Sequence, residues 1–157
     1  KRNYKGKDFR MENDISEYGY KFHMNDINAT IGIHNLPHID GLIQKNRENA
    51  AFFDEKLKNV NNIKLLKNPE NGKSVYWLYT IRVLNGKKQE FIEKMKEAGI
   101  MTSQVHNRND INSCVKEFEE PLPNLDILEK ELVSIPVGWW LTQNNLDKIY
   151  NTILSIF

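Results

Sequence analysis

The sequence predicts an α/β fold: a small three-stranded sheet covered on one face by helices. Three observations carry that prediction. Apolar residues recur at helical period through residues 39–57 and again through 146–157. A run of β-branched and aromatic residues, 75–84, ends in the turn pair Asn85-Gly86. Around that run, short apolar segments alternate with helix-length patterns in the order long helix, strand, helix, strand, short helix, strand, helix. The 157 residues amount to one ordinary domain, or a domain with an arm. With 39% hydrophobic residues the chain can build a core, which excludes wholesale disorder.

Residues 1–19 read as an irregular arm, basic at first (Lys1, Arg2, Lys5, Lys7, Arg10) and then acidic (Glu12, Asp14, Glu17). A long helical region, 20–58, follows. Tyr20, Met24, Ile27, Ile31 and Asn35 lie at spacings of 4, 3, 4 and 4, and Asn25 is placed to cap the helix with Asp26 in its first turn. Pro37 has no N–H and crowds the carbonyl four residues back, so the helix kinks or restarts there. The stripe resumes as Ile39, Leu42, Ile43, Asn46, Ala50, Phe53 and Leu57. Residues 59–157 read as a small α/β unit. Ile63, Leu65 and Leu66 form an apolar patch in a loop, and residues 75–84 are the clearest strand. Residues 87–98 are helical with Phe91, Ile92 and Met95 inward, stopped by Gly99 at a left-handed cap. A second strand is expected at 100–105, an irregular stretch at 106–124, a short helix at 125–131 and a third strand at 132–137. Thr142 caps a terminal helix with Leu146, Ile149, Tyr150, Ile153 and Phe157 on one face.

Several function classes are excluded or disfavoured. No stretch approaches the roughly 20 apolar residues of a membrane span. The net charge of +1 supplies no bulk field for nucleic acid or anionic lipid. The single cysteine, Cys114, excludes an internal disulfide framework and a Cys-rich zinc site. Lys1 to Lys7 have no apolar run behind them, as a secretory signal requires, so a reduced, cytoplasmic setting is expected. His34 and His38 stand four apart, but Pro37 lies between them and no third ligand is near, so no metal is expected. There is no Walker loop, no GxGxxG and no GxSxG.

Two polar clusters stand out. In residues 17–26 a glycine, a cation (Lys21) and His23 precede a helix N-terminus, a setting that suits an anionic oxygen such as phosphate. The alternative is an entry turn with a hydrophobic staple. In residues 104–110, His106, Asn107, Arg108, Asn109 and Asp110 leave a strand end, and such side chains read a polar ligand with several hydroxyls or a diphosphate. The alternative there is a solvated loop. Trp139-Trp140 reads as core or interface filling.

In this order the clusters resemble the C-terminal part of the DegT-type aminotransferases, with features of the perosamine-synthase relatives. The segment from Gly19-Tyr20-Lys21-Phe22-His23-Met24 through Ala29-Thr30-Ile31-Gly32 to Leu36, then Arg47, corresponds to a family pattern running Gly-Tyr-Asn-x-Arg-Met and on into a helix. Trp77, Tyr79, Ala98-Gly99-Ile100, Val105-His106 and Ser134-Ile135-Pro136 also fall where that family has counterparts, so the resemblance covers nearly all of residues 17–154. It implies the small domain of an aspartate-aminotransferase-type fold, with 1–19 as arm, 20–58 as kinked connecting helix and 59–157 as the small domain. It also implies a pyridoxal 5'-phosphate enzyme that moves an amino group from an amino acid, glutamate by expectation, to a keto-sugar nucleotide in glycan or cell-surface polysaccharide synthesis.

The family asparagine that reaches the cofactor phosphate from the neighbouring subunit is here Lys21, and the usual arginine is His23. Resemblance therefore assigns Lys21 to the phosphate across a homodimer, and His106, Arg108, Asn109 and Asp110 to the substrate. Family members are more than twice as long, and their cofactor-anchoring lysine and pyridine-pairing acid lie upstream of this segment. No lysine here matches that motif. By itself the chain is expected to be inactive and not to hold the cofactor. A non-catalytic α/β interaction module is the alternative.

Overall fold

The computed structural model describes residues 14–104 and 106–157, together with the backbone of Asn3–Tyr4 and Lys7–Asp8. Those two dipeptides, β1 and β2, pair antiparallel as a small ladder. The rest of the expected arm before Asp14, and Val105, lie outside the described residues.

The helix starts at the expected cap, but residues 20–25, expected as part of the helical region, are not helical because the capping residue Asn25 and the segment before it are extended. Asn25 has extended backbone, and its side chain accepts a 2.9 Å hydrogen bond from the amide of Asn28, starting α1 (Asp26–Asn35). Pro37 sits in a single 3-10 turn, Leu36–His38, and α2 runs on from Ile39 to Leu57. The two helices differ in what they bury. α2 puts Asn49, Ala50, Phe53 and Leu57 into the interior, whereas α1 buries nothing. The stripe Tyr20, Met24, Ile27 and Ile31 is exposed, with Tyr20 85% exposed.

The sheet is three-stranded and antiparallel in the order β3 (Ile63–Leu65), β4 (Tyr79–Val83), β5 (Leu132–Ile135). Tyr79, Ile81 and Val83 alternate inward along central β4 and meet Phe53 and Leu57 of α2 in one core. Helix α3 (Lys88–Glu97) adds Phe91 and Met95, and α5 (Gln143–Ile156) adds Leu146, Ile149, Ile153 and Ile156. Between α4 (Pro123–Glu129) and α5, Val133, Ile135 and Val137 complete the core. This is the expected small sheet covered by helices.

Two strands differ from expectation. The segment 100–104 forms no strand; it touches the sheet through one bridge, in which Ser103 and Ser134 exchange amide-to-carbonyl bonds of 3.2 and 2.7 Å. Its neighbours are engaged elsewhere: the Ile100 amide closes the C-terminus of α3 on Met95, and the Gln104 side chain accepts from Lys88 at 2.5 Å. The third strand is instead Ile63–Leu65, read from sequence as a loop patch because three residues are too few to display a period. Asn62, with φ of 61°, turns the chain into it. The predicted 75–84 strand also shortens, because Tyr76 adopts a φ of 48° and breaks the extended run before Tyr79.

Termini of the helices follow residue chemistry. Gly99 has a φ of 74°, the left-handed cap geometry. Thr142 forms a reciprocal capping box with Asn145. Thr142→Ala should therefore lower stability by about 1 kcal/mol, read as a shift in the urea midpoint. After β5, Asn49 donates 3.0 Å bonds to the carbonyls of both Val137 and Gly138, fixing the turn that presents Trp139 and Trp140. A Cβ on Gly138 would lie 2.1 Å from the Trp140 ring, so only glycine admits this approach.

Candidate functional site

The first candidate cluster is an extended segment leading into α1. Lys21 is exposed there, and among the described residues it pairs with no carboxylate. Tyr20 and Phe22 flank it with ring centroids 5.9 Å apart, and Asn28 ties the segment's end back by donating to the His23 carbonyl at 3.4 Å. An ammonium ahead of a helix N-terminus with no carboxylate partner among the described residues can meet an anionic oxygen. The fit to the pyridoxal phosphate implied by the resemblance is thus to its phosphate alone.

The second cluster is held very differently. Arg108 is only 15% exposed and is bound by three carboxylates. Its Nε donates to Asp110 at 3.0 and 3.2 Å, Nη2 donates to the same carboxylate, and Nη1 donates to Asp126 of α4 and, at 3.5 Å, to Glu129. Of the five guanidinium N–H groups, one on Nη2 has no partner among the described residues. Hydrogen bonds from Arg108 hold the Asp110 carboxyl below the usual carboxylate range, and bonds to Asp110 and then Asp126 push the Arg108 guanidinium up. Lys88 adds a cation nearby. Its Nζ donates to the Glu129 carbonyl at 2.6 Å, and burial pushes its pKa down.

Two cations against three carboxylates leave this loop with no surplus positive charge. The Arg108 charge is thus met by the chain's own carboxylates. The loop offers donors and acceptors to hydroxyl groups. His106 is exposed, its ring 6.0 Å from the ring of Trp77, which is itself 71% exposed. Asn109 is exposed at the turn, where its carbonyl accepts from the Asn112 amide at 3.2 Å and from the Asn112 side chain at 3.0 Å.

Contacts that reading the sequence missed join the residues just before the first cluster to those just after the second. Asp14 accepts from the Ser113 amide at 2.8 Å and from the Ser113 hydroxyl at 2.5 Å. Ile15 donates its amide to Asn112 at 3.1 Å, and its carbonyl accepts from Cys114 at 3.0 Å. A cleft of about 400 Å³ opens beside this junction, bounded by Asp14, Asp110, Asn112 and Lys116 among others. The partners stand 97 to 99 residues apart, and no local pattern announces such a contact.

Those bonds make a pH test. The Ser113 hydroxyl, then its amide, hold the Asp14 carboxyl below its ordinary value of 3.8. A carboxylate depressed by folding stabilises the contact above its ordinary pKa and stops doing so as pH falls through the depressed value. The Ser113 amide proton resonance should therefore titrate with a midpoint below 3.8, while the contact is intact at pH 5 and above.

Among the described residues no helix is long and apolar enough to cross a membrane, and no three His, Cys, Asp or Glu side chains are grouped to hold a metal ion. In comparisons with known proteins, the sugar aminotransferase CalS13 from Micromonospora echinospora is 36% identical and superposes with a TM-score of 0.78, over 97% of this chain and 41% of its own. AtS13 from Actinomadura melliaura is 38% identical with a TM-score of 0.77, over 98% and 42%. A UDP-4-amino-4,6-dideoxy-N-acetyl-beta-L-altrosamine transaminase of Campylobacter jejuni is 27% identical over 92% of this chain and 40% of its own. The chain thus spans about two-fifths of the length of these relatives. The profile of the DegT/DnrJ/EryC1/StrS aminotransferase family matches residues 2–154 from the arm into the last turns of α5, and the chain belongs to that family.

Proposed function

We propose that this chain is the C-terminal portion of a pyridoxal phosphate-dependent sugar aminotransferase, similar to the perosamine-synthase group, and that it is inactive alone. The family match over residues 2–154, at two-fifths of the relatives' length, carries the reading. In it, residues 1–19 are the arm, 20–58 the connecting helix and 59–157 the small domain. The complete enzyme is a cytoplasmic homodimer that moves an amino group from an amino acid, glutamate in our reading, to a keto-sugar nucleotide for glycan or cell-surface polysaccharide synthesis. The bare stripe of Tyr20, Met24, Ile27 and Ile31 supports a larger assembly, since water-exposed aromatic and aliphatic side chains in such a row ordinarily pack on another surface.

When bound, the cofactor supplies an electron sink for the amino-group carbon. This chain supplies the wall of the pocket. Lys21 holds the cofactor phosphate by a charge-assisted bond from the opposite subunit. His106, Asn109 and the free Nη2 proton of Arg108 bind hydroxyls of the sugar, with Trp77 as the apolar side of the same wall. Asp110 serves the substrate less directly, by keeping the guanidinium plane fixed. The near-neutral charge of that loop favours the sugar over the diphosphate as the part it reads.

Mixing the chain with pyridoxal phosphate tests the proposal. No absorbance band of lysine-bound cofactor should develop, and no amino-group transfer from glutamate should be measurable. A stable band accompanied by turnover would refute the division of labour.

A further inference from the structure

Between Asp14 and Asn25 the chain has no helix or strand, so the path of the Lys21 segment is set by its two ends. One end is the Asn25 cap of α1. The other is the junction with residues 112–114. There Asp14 does what the local sequence does not: the 3-10 helix Ser113–Phe118 receives no side-chain cap from its own preceding residue, Asn112, and Asp14 caps it from the arm. Asn112 is thereby free to face both ways. Its Oδ1 accepts from Ile15, and its Nδ2 donates back to the Asn109 carbonyl. Two residues before Asn112 stands Asp110, the carboxylate that braces Arg108.

We infer that Asp14 is a positioning residue: its bonds to Ser113, with those between Ile15 and Asn112–Cys114, hold the Lys21 segment in register with the loop that carries His106 and Arg108. The inference rests on the reading above in one respect, that Lys21 and this loop serve one reaction. The physical tie does not depend on it. An ionised carboxylate that accepts a backbone amide and a hydroxyl together is a stronger anchor than a neutral pair. Removing it frees one end of a segment that has no secondary structure of its own.

The experiment uses the complete enzyme and three variants, Asp14→Ala, Asp14→Asn and Ser113→Ala. In Asp14→Ala, amide hydrogen exchange should quicken at least tenfold in peptides covering residues 15–22 and 109–115, with the β4 peptide 79–83 unchanged. The dissociation constant for pyridoxal phosphate and the KM for the keto-sugar nucleotide should each rise about tenfold. Asp14→Asn keeps an acceptor for the Ser113 amide but neither the charge nor the second acceptor, and should recover only part of both effects. Ser113→Ala, which removes only the hydroxyl donor, should shift exchange about threefold in the same direction. It serves if Asp14→Ala expresses poorly. Unchanged exchange in the two peptides overturns the tie itself. Faster exchange with unaltered cofactor and substrate constants overturns the positioning role. Failure of the underlying reading is separately visible, because Lys21→Ala would then leave cofactor affinity unaltered whatever Asp14 does.

Discussion

Phe53→Ala should lower the folding stability of the chain by about 3–5 kcal/mol. Phe53 is fully buried on α2, meets Tyr79 of β4 with ring centroids 5.4 Å apart, and stands edge-on to Phe52 at 5.5 Å. It is the side chain through which the connecting helix grips the central strand, so truncation removes both buried area and an aromatic pair. The core around it includes Leu57, Ile81, Met95 and Ile153, all fully buried, and such a tightly packed neighbourhood collapses little into the void. At a urea dependence of about 1–3 kcal/mol per molar, the midpoint should fall by more than 1 M. A control comes from the extended segment that leads into α1. Phe22→Ala, at a residue 87% exposed, should change stability by less than about 0.5 kcal/mol in this chain. Equal losses at the two positions would mean that the segment before α1 is packed, against the arrangement described.

That contrast marks what a sequence can and cannot disclose. Both stripes have helical period, and period alone identifies a helix without saying whether its face is covered by the same chain. Caps were legible because they are local: Asn25, Gly99 and Thr142 each act within one turn of the helix they delimit. The Ile63–Leu65 strand was not legible, since its pairing with Ile81 and Val83 of β4 is a contact across the intervening loop, and three residues carry no pattern of their own. At the site, residue types pointed to a polar loop at His106–Asp110 but not to its electrostatics. Asp126 and Glu129, which neutralise Arg108, lie 18 and 21 residues further on and read as an ordinary helix face. An arginine among amides in a sequence suggests an anion site; only the fold reveals that the anions are the protein's own carboxylates. The same limit hid Asp14, an acid in a stretch of mixed charge until Ser113 is brought to it.

Lys21→Ala in the complete enzyme should weaken pyridoxal phosphate binding by roughly ten- to a hundredfold, the equivalent of one charge-assisted hydrogen bond worth about 1.5–3 kcal/mol. The expectation follows from what surrounds the side chain. Lys21 has no carboxylate partner among the described residues, in contrast to Arg108, and it sits four residues ahead of Asn25, the cap of α1, whose side chain already accepts from the Asn28 amide. A lysine with no carboxylate partner among the described residues keeps its charge available. Where the resemblance places an amide in relatives, the ammonium substitutes a point charge that needs no fixed plane. Lys21→Arg should then keep most of the affinity, and Lys21→Gln should lose a large part of it, because the amide retains a donor but no charge. Because the contact is proposed to cross between subunits, mixed dimers supply the decisive comparison. A Lys21→Ala subunit paired with one that lacks the cofactor-anchoring lysine should form one site having both groups intact and one having neither, restoring half of the sites to normal affinity. Full affinity in the Lys21→Ala homodimer would remove the lysine from the cofactor site, and no recovery at any site of the mixed dimer would place the contact within one subunit.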